Sequence, residues 1–456
     1  MNTTRYCWTA ALTLALLAGV ASNAHTQEYQ AGVARADITP TGPIWLAGYG
    51  NRNKPSEGVD HPLALKALAL RHGQGPPLIL ITADIIGWPR SLSQPITERI
   101  GKELKVPRAN VLLAASHTHT GPVISNNLEG MFDLKGKDAE AVMDYARRLE
   151  GRAVETAAEA VKALAPARLS FSRGRATFAM NRRVFRAGGV TFGVNPDGPV
   201  DFEVPVLRVE GEDGSVRAIV FGYACHCTTL TGNHYRISGD WAGFAQEYLE
   251  RAHPGATALF VTGCGADANP EPRGSLELAR QHGLELAGAV SAALRAGRSP
   301  VAGPLRTAFD EAALPFAKPP SREEFQKRLE DKNPFVRRHA ARQLERLERD
   351  GKLPESYPCP VQVWQFGKDL TLVALGGEVV VDYALRLKRE LQGNPVWVAA
   401  YCNDTFAYVP SVRILLEGGY EADFNLIYYG QPTRFSNAVE DVLLTKVHDL
   451  VKKVRP

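Results

Sequence analysis

Beyond its first two dozen residues, this 456-residue chain carries its hydrophobic residues in runs no longer than one buried strand. Runs of that length suit the strands of a covered sheet. The longer amphipathic stretches between them have the i, i+3, i+4 spacing of helices that lie on such a sheet. The strand runs are 78–81, 111–115, 204–209, 218–224, 257–262, 370–375 and 396–401. Helical spacing covers 95–104, 139–164, 243–251 and 276–296, with Asp240 placed as the N-cap of the third. Strict βαβ alternation fails in places, so the pattern predicts a mixed α/β fold.

Hydrophobic residues make up 45% of the chain and charged residues 22%, which excludes a disordered chain, a fibre and a polytopic membrane protein. With 53 Lys and Arg against 49 Asp and Glu, the net charge of +4 gives no reason to expect a nucleic-acid partner. At the N-terminus, Arg5, an apolar run and Ser22-Asn23-Ala24 have the order of a signal peptide, cleaved near Ala24. Its apolar run is too short to span a bilayer. A periplasmic or secreted protein is expected. Cys7 would leave with the leader, and of Cys225, Cys227, Cys264, Cys359 and Cys402 at least one then stays unpaired.

One stretch differs in composition. Residues 321–352 (REEFQKRLEDK, then RRHAARQLERLERDGK) are dense in charge and read as a solvated helical pair inserted between core strands, with a lid or partner-binding role as the other reading. The strand pattern resumes at Val361, and no linker interrupts 25–456, which reads as one domain.

Chemistry gathers where strands end. The segment SHTHTGP (116–122) directly follows VLLAA, and in open α/β sheets ligands collect beyond the carboxyl ends of strands. One imidazole of His117 and His119 can face a metal while the other faces the space beside it. His226 follows AIVFGYAC, Glu378 follows LTLVAL across a Gly-Gly turn, and Tyr408 comes shortly after PVWVAAY. Taken singly, Glu378 reads as a helix-start carboxylate and Tyr408 as a core aromatic. Taken together, two imidazoles, a carboxylate and a phenolate at one sheet end suit Zn2+. Cys225 and Cys227 flank His226 on a strand and so point away from it. They read as buried thiols, or as half of a disulfide elsewhere. In GCGADANP, small residues let the backbone approach a ligand, and Asp267 and Asn269 can reach into a site; a plain tight turn is the alternative. Asn181-Arg182 in MNRRVF reads as part of a surface basic stretch, or as an arginine holding an oxyanion or hydroxyl.

In order along the chain, GVARADITP with GPIWLAGYGNR, SHTHTGP, MNRR, YACHCTTL, SGDWAGFAQ, GCGADANP, the GGE before a helix, and NDTFAYV leading to GGYEA resemble the neutral (non-lysosomal) ceramidases. The resemblance covers nearly all of the chain after the leader. It implies a metal-dependent amidohydrolase domain of mixed α/β fold with one catalytic zinc, held by His117, His226, Glu378 and Tyr408. It also implies that His119 contacts substrate near the metal, that Arg182 binds the substrate's polar head, and that Tyr420 is a second active-site tyrosine. Two departures stand out. The family's Gly-Asp-Val-Ser-Pro-Asn becomes Gly-Ala-Asp-Ala-Asn-Pro here, with Asp267 on the aspartate and Asn269 on the serine. The chain also stops near Pro456, without the C-terminal β-sandwich of full ceramidases, as expected of a divergent bacterial-type member.

The expected activity is hydrolysis of an N-acylsphingosine-type amide by metal-activated water. Tyr420 or His119 would stabilise the oxyanion, His119 or Asp267 would carry the proton, and Arg182 and Asn269 would contact substrate. Such a substrate is amphiphilic, which implies peripheral membrane contact. An esterase or deacylase acting on a soluble glycan or peptide conjugate is the alternative. A binding protein without turnover is the third.

Overall fold

The computed structural model describes residues 29–455, so the expected leader, 1–24, lies outside the described residues. The first half of the chain runs β1 (Tyr29–Asp37), β2 (Ala64–His72), β3 (Leu78–Ala83), α1 (Arg90–Leu104), β4 (Val111–Ala115), α2 (Lys137–Lys162) and β5 (Ala165–Arg175). A hairpin, β6 (Ala179–Arg186) and β7 (Gly189–Asn195), leads to β8 (Glu203–Gly211), β9 (Val216–Tyr223), α3 (Asp240–Ala252) and β10 (Thr257–Thr262). Next come β11 (Ala268–Pro270), α4 (Leu276–Ala296), β12 (Ser299–Val301), β13 (Leu305–Pro315), α5 (Arg322–Arg328), α6 (Pro334–Asp350) and β14 (Ser356–Phe366). The chain closes with β15 (Leu370–Leu375), β16 (Glu378–Val379), α7 (Val381–Glu390), β17 (Val396–Ala399), β18 (Tyr408–Val409), α8 (Val412–Glu417) and α9 (Val439–Val454).

Two sheets pack face to face. The larger has the order β10-β9-β8-β5-β1-β2-β3-β4 with β12 on β5, and the smaller is β13-β14-β15-β17. Period-2 alternation explains the layering, because successive side chains leave a strand on opposite faces. Leu78 and Leu80 of β3, Val220 of β9 and Leu259 of β10 meet Leu372 of β15 and Trp397 of β17 in the core between the sheets. Their neighbours Ile79 and Ile81 face outward onto α2, while Phe221 and Phe260 pack beneath α3 and α4. Val373 and Leu375 face α7 and α9 on the far side. The fold is thus mixed α/β in four layers, helices outside and sheets inside.

Some expectations need correction. Asp240 is the first helical residue of α3 and not its N-cap. Its carboxylate reaches instead across to the Leu230 N–H at 2.9 Å, which draws it into the preceding loop. Helix α1 begins at Arg90, ahead of Pro95, because the N–H groups of Leu92 and Ser93 already bond to the Pro89 carbonyl. Strand β17 ends at Ala399, where Ala400 N–H turns to the Thr262 carbonyl and Tyr401 takes φ 56°. All five cysteines described are buried free thiols, so no disulfide recruits Cys225 or Cys227. Among the described residues, no helix is long and apolar enough to cross a membrane.

The charged segment 321–352 forms α5 and α6 between the paired strands β13 and β14. Ser321 and Glu324 make a reciprocal capping box for α5, and Asn333 caps α6 with Pro334 following. The pair is not simply solvated. His339, Ala340 and Gln343 are buried, with His339 Nε2 2.7 Å from the Gln431 carbonyl and Gln343 Nε2 donating to Gly430 O at 3.0 Å.

Candidate metal centre

Two loops from opposite ends of the large sheet meet at a single point. The loop after β4 carries His117 and His119, and the loop after β9 carries His226; a backbone bridge between Thr118 and Cys227 stitches them together. His117 sits at φ 60°, a left-handed conformation that a β-substituted residue holds only under constraint. The constraint is visible in its Nδ1, 2.6 Å from the Ile86 carbonyl. His226 Nδ1 likewise lies 2.8 Å from the Gly265 carbonyl, and the Trp241 indole donates to the His226 carbonyl at 2.9 Å. A carbonyl can only accept, so each Nδ1 carries the proton and each Nε2 keeps its lone pair.

Those Nε2 atoms face one another. His119 Nε2 lies 3.1 Å from His117 Nε2, and Glu378 Oε2 lies 3.1 Å from His117 Nε2 and 3.2 Å from His226 Nε2. The three imidazoles present ligand atoms all within 4.8 Å of one another. Burial, then the Arg182 guanidinium, push His226 down to about 4, and burial with the neighbouring imidazoles lowers His119 well below the usual range. Neutral imidazole lone pairs and a carboxylate aimed at one point repel unless a cation lies among them. The residues therefore fit a metal ion.

Glu378 and Tyr408 arrive from the smaller sheet's side, opposite each other in the short parallel pair β16–β18. Tyr429 Oη donates to Glu378 Oε1, and Tyr401 Oη lies 3.4 Å from Oε2. The Tyr408 hydroxyl stands 3.1 Å from His226 Nε2 and accepts from Arg182 Nη2 at 3.0 Å. Arg182 is buried, not a surface residue. Its Nε donates to Glu421 Oε1 at 2.8 Å, its Nη1 to Asn269 Oδ1 at 3.3 Å, and Glu421 also accepts from Arg183 at 2.6 Å. Asn269 Oδ1 accepts a second bond from Thr228 Oγ1 at 3.2 Å. Tyr420 stands edge-on to Tyr408, ring centres 5.3 Å apart.

Asp267 is placed differently. Its carboxylate accepts from Val381 N–H at the start of α7 at 2.9 Å and from Asn181 Nδ2 at 3.4 Å. It ties the 263–270 loop to that helix and its oxygens are taken up there. Cys225 Sγ and Cys227 Sγ turn to the carbonyls of His226 and Ser116. Neither thiol joins the imidazoles.

Several supporting residues had no counterpart in the sequence reading of the site. Gly48, at φ +89°, lies where a Cβ would overlap the His119 ring. Arg52 donates to the His119 carbonyl at 2.7 Å. Both belong to the GYGNR segment, whose glycines were the available signal. Glu421 follows Tyr420 directly, but Tyr429 and Tyr401 carry no motif of their own.

Three comparisons bear on this arrangement. A family model described as neutral/alkaline non-lysosomal ceramidase, N-terminal, matches residues 29–273. Neutral ceramidase A of Dictyostelium discoideum is 24% identical over 270 residues, 54% of this chain and 36% of that protein. The neutral ceramidase of Mycobacterium tuberculosis is 27% identical over 243 residues, 49% of this chain and again 36% of the relative. The chain thus matches only about a third of the length of these curated relatives. The crystal structure of neutral ceramidase from Pseudomonas aeruginosa superposes with a TM-score of 0.72 at 19% identity, over 94% of this chain and 75% of that one, which establishes the shared fold. With more than half of its residues inside that family model, the chain belongs to the neutral/alkaline non-lysosomal ceramidase family.

Proposed function

We propose that this protein is a zinc-dependent hydrolase of an N-acyl amide of the ceramide type. The observation that carries the reading is the convergence of three imidazole Nε2 atoms and Glu378 Oε2, with two of the opposite ring nitrogens fixed on backbone carbonyls. His117, His226 and Glu378 would hold the zinc ion, with His119 and Tyr408 beside it, and the bound ion would supply Lewis acidity to polarise an amide carbonyl and lower the pKa of water.

The chain's own residues divide the remaining work. His119, half-buried and neutral, is free at Nδ1 to pass a proton toward the leaving amine. Asp267, occupied by Val381 and Asn181, serves position and not proton transfer. Arg182, held by Glu421, keeps a fixed positive charge beside Tyr408, where it can meet a developing oxyanion or a substrate hydroxyl. Tyr420 adds an aromatic wall and a hydroxyl on the same side. Asn269 orients Arg182, and no serine nucleophile is required. Export belongs to the same proposal and rests on the sequence of residues 1–24.

The test is metal content beside turnover. Wild type is expected to hold one zinc per chain and to cleave N-acyl sphingoid bases in preference to acetylated sugars or acyl amino acids. His117→Ala and His226→Ala are each expected to lose both metal and activity. Full zinc occupancy in both variants would overturn the assignment. Turnover confined to the sugars or amino acids would replace the substrate class.

A further inference from the structure

Among the described residues, nine large hydrophobic side chains are exposed, and five of them share one region: Phe185, Phe192, Val194, Leu416 and Phe424. The first three lie on the β6–β7 hairpin. Its register sets Phe185 opposite Val190 and Arg183 opposite Phe192, and cross-strand partners share a face, so Phe185, Val190 and Phe192 line up with Arg183, while Val194 stands exposed just beyond, where the ladder shifts register. Leu416, 75% exposed, is on α8, and Phe424 opens the short 3-10 helix Phe424–Ile427 that follows. The two segments are joined. The Phe192 ring lies 5.0 Å from that of Tyr420, Tyr420 lies 6.3 Å from Tyr428, and Phe424 lies 5.7 Å from Tyr428.

This apolar rim is continuous with the candidate metal centre. Phe192 covers the Arg182 guanidinium at 4.9 Å, and Arg182 touches both Tyr408 and His226. Between residues 179 and 195 the hairpin carries arginines and no acidic residue, with exposed Arg186 beside a small Ala-Gly-Gly tip. Exposed Phe and Leu side chains edged by arginine, on a tip with little bulk, suit insertion among lipid headgroups.

We propose that the β6–β7 hairpin, with Leu416 and Phe424, docks on a lipid surface and opens the metal centre directly onto it. An amphiphile then passes from the surface past Phe192 to Arg182 without crossing water. The inference rests on the reading of the substrate as an N-acyl lipid.

The experiment uses the full metal-loaded chain and phosphatidylcholine vesicles, with and without phosphatidylglycerol. Co-flotation is measured for wild type and for the combined exposed-site variant Phe185→Ser, Val194→Thr, Leu416→Gln. Turnover is measured on a water-soluble short-chain N-acyl amide and on a long-chain amide within the vesicles. Wild type is expected to float with both vesicle types. The variant's vesicle affinity should fall by at least about tenfold, since burying one such side chain is worth a tenfold or more. Its turnover of the soluble amide should stay at the wild-type level while turnover in vesicles drops with binding. Phe185→Trp should instead tighten vesicle binding. Unchanged flotation of the variant, or none by wild type, would overturn the docking surface, as would a wild-type dimer dissociated by the same substitutions. Intact flotation with no turnover of either amide would overturn the hydrolase reading and leave the docking surface standing.

Discussion

Tyr429 shows how much of this centre depends on single atoms outside the ligand set. Its hydroxyl donates to the Glu378 oxygen that faces away from the imidazoles and so fixes the rotation of the carboxylate. Partners of this kind typically govern metal affinity by about 10- to 100-fold. Tyr429→Phe is expected to weaken zinc binding within that range in a competition titration while leaving the fold intact; an unchanged affinity would remove Tyr429 from the site. Asp267 gives a prediction with a defined sign. Burial pushes its carboxyl from 3.8 up to about 7. A group whose pKa is raised by folding contributes stability that is full below the unfolded value and lost as pH rises through the folded one. Between pH 5 and 7 wild type should lose roughly 1–3 kcal/mol from this residue, a loss that Asp267→Asn cannot share. Denaturant titrations should therefore show the variant gaining on wild type across that interval, and parallel pH slopes would refute the buried, raised carboxyl.

At the scale of elements, α6 is a buttress for the loop that carries Tyr429. His339 and Gln343 hold the carbonyls of Gln431 and Gly430, and Phe335 packs edge-on against Tyr428 at 5.1 Å. Replacing both His339 and Gln343 by alanine leaves two carbonyls without these partners, at about 1 kcal/mol or more for each. The double variant is expected to melt earlier, to be cut faster by protease near 428–431, and to bind zinc less tightly through the freed Tyr429. Normal zinc affinity would separate the helix from the site. Charge density disguised this role, because an amphipathic helix with only His339, Ala340 and Gln343 buried resembles a solvated one in sequence. The elements that were legible are those with unmixed signals: β4 is wholly apolar, β10 and β15 are apolar but for threonine, and α4 carries full helical periodicity. Strands such as β5, β6 and β7 were missed because arginine, glycine and serine interrupt their apolar residues, and β7 buries none of its side chains fully. His117, His226 and Glu378 could be read because each closely follows an apolar strand. Tyr429 could not, since the loop that positions it has no period, and its partner is set by folding between distant parts of the chain.

Over the whole molecule, the centre lies where separate sheets come together. His117 and His119 follow the terminal strand β4 and His226 follows β9 beside the other end of the same sheet, while Glu378 and Tyr408 come from the β16–β18 pair that extends the second sheet's side. The sheet's two ends are also joined by polar contacts, among them Thr262 Oγ1 donating to the Ala115 carbonyl at 2.7 Å, His119 N–H donating to the Cys227 carbonyl at 3.2 Å and the Thr118–Cys227 bridge. Without a cation, the facing lone pairs and carboxylate would push these elements apart; a bound cation would draw them to a common point. The unfolded chain has no such site, so the affinity of a bound metal would become folding free energy, about 4 kcal/mol when free metal stands a thousandfold above the dissociation constant. Chelation is therefore expected to lower the melting temperature of wild type, and zinc to restore it. In His117→Ala the gap between chelated and zinc-supplied samples should close, because the variant begins near the chelated value. If wild type melted at the same temperature with and without zinc, the centre would not be joining the sheets, and the imidazoles would have to be held together by the surrounding loops alone.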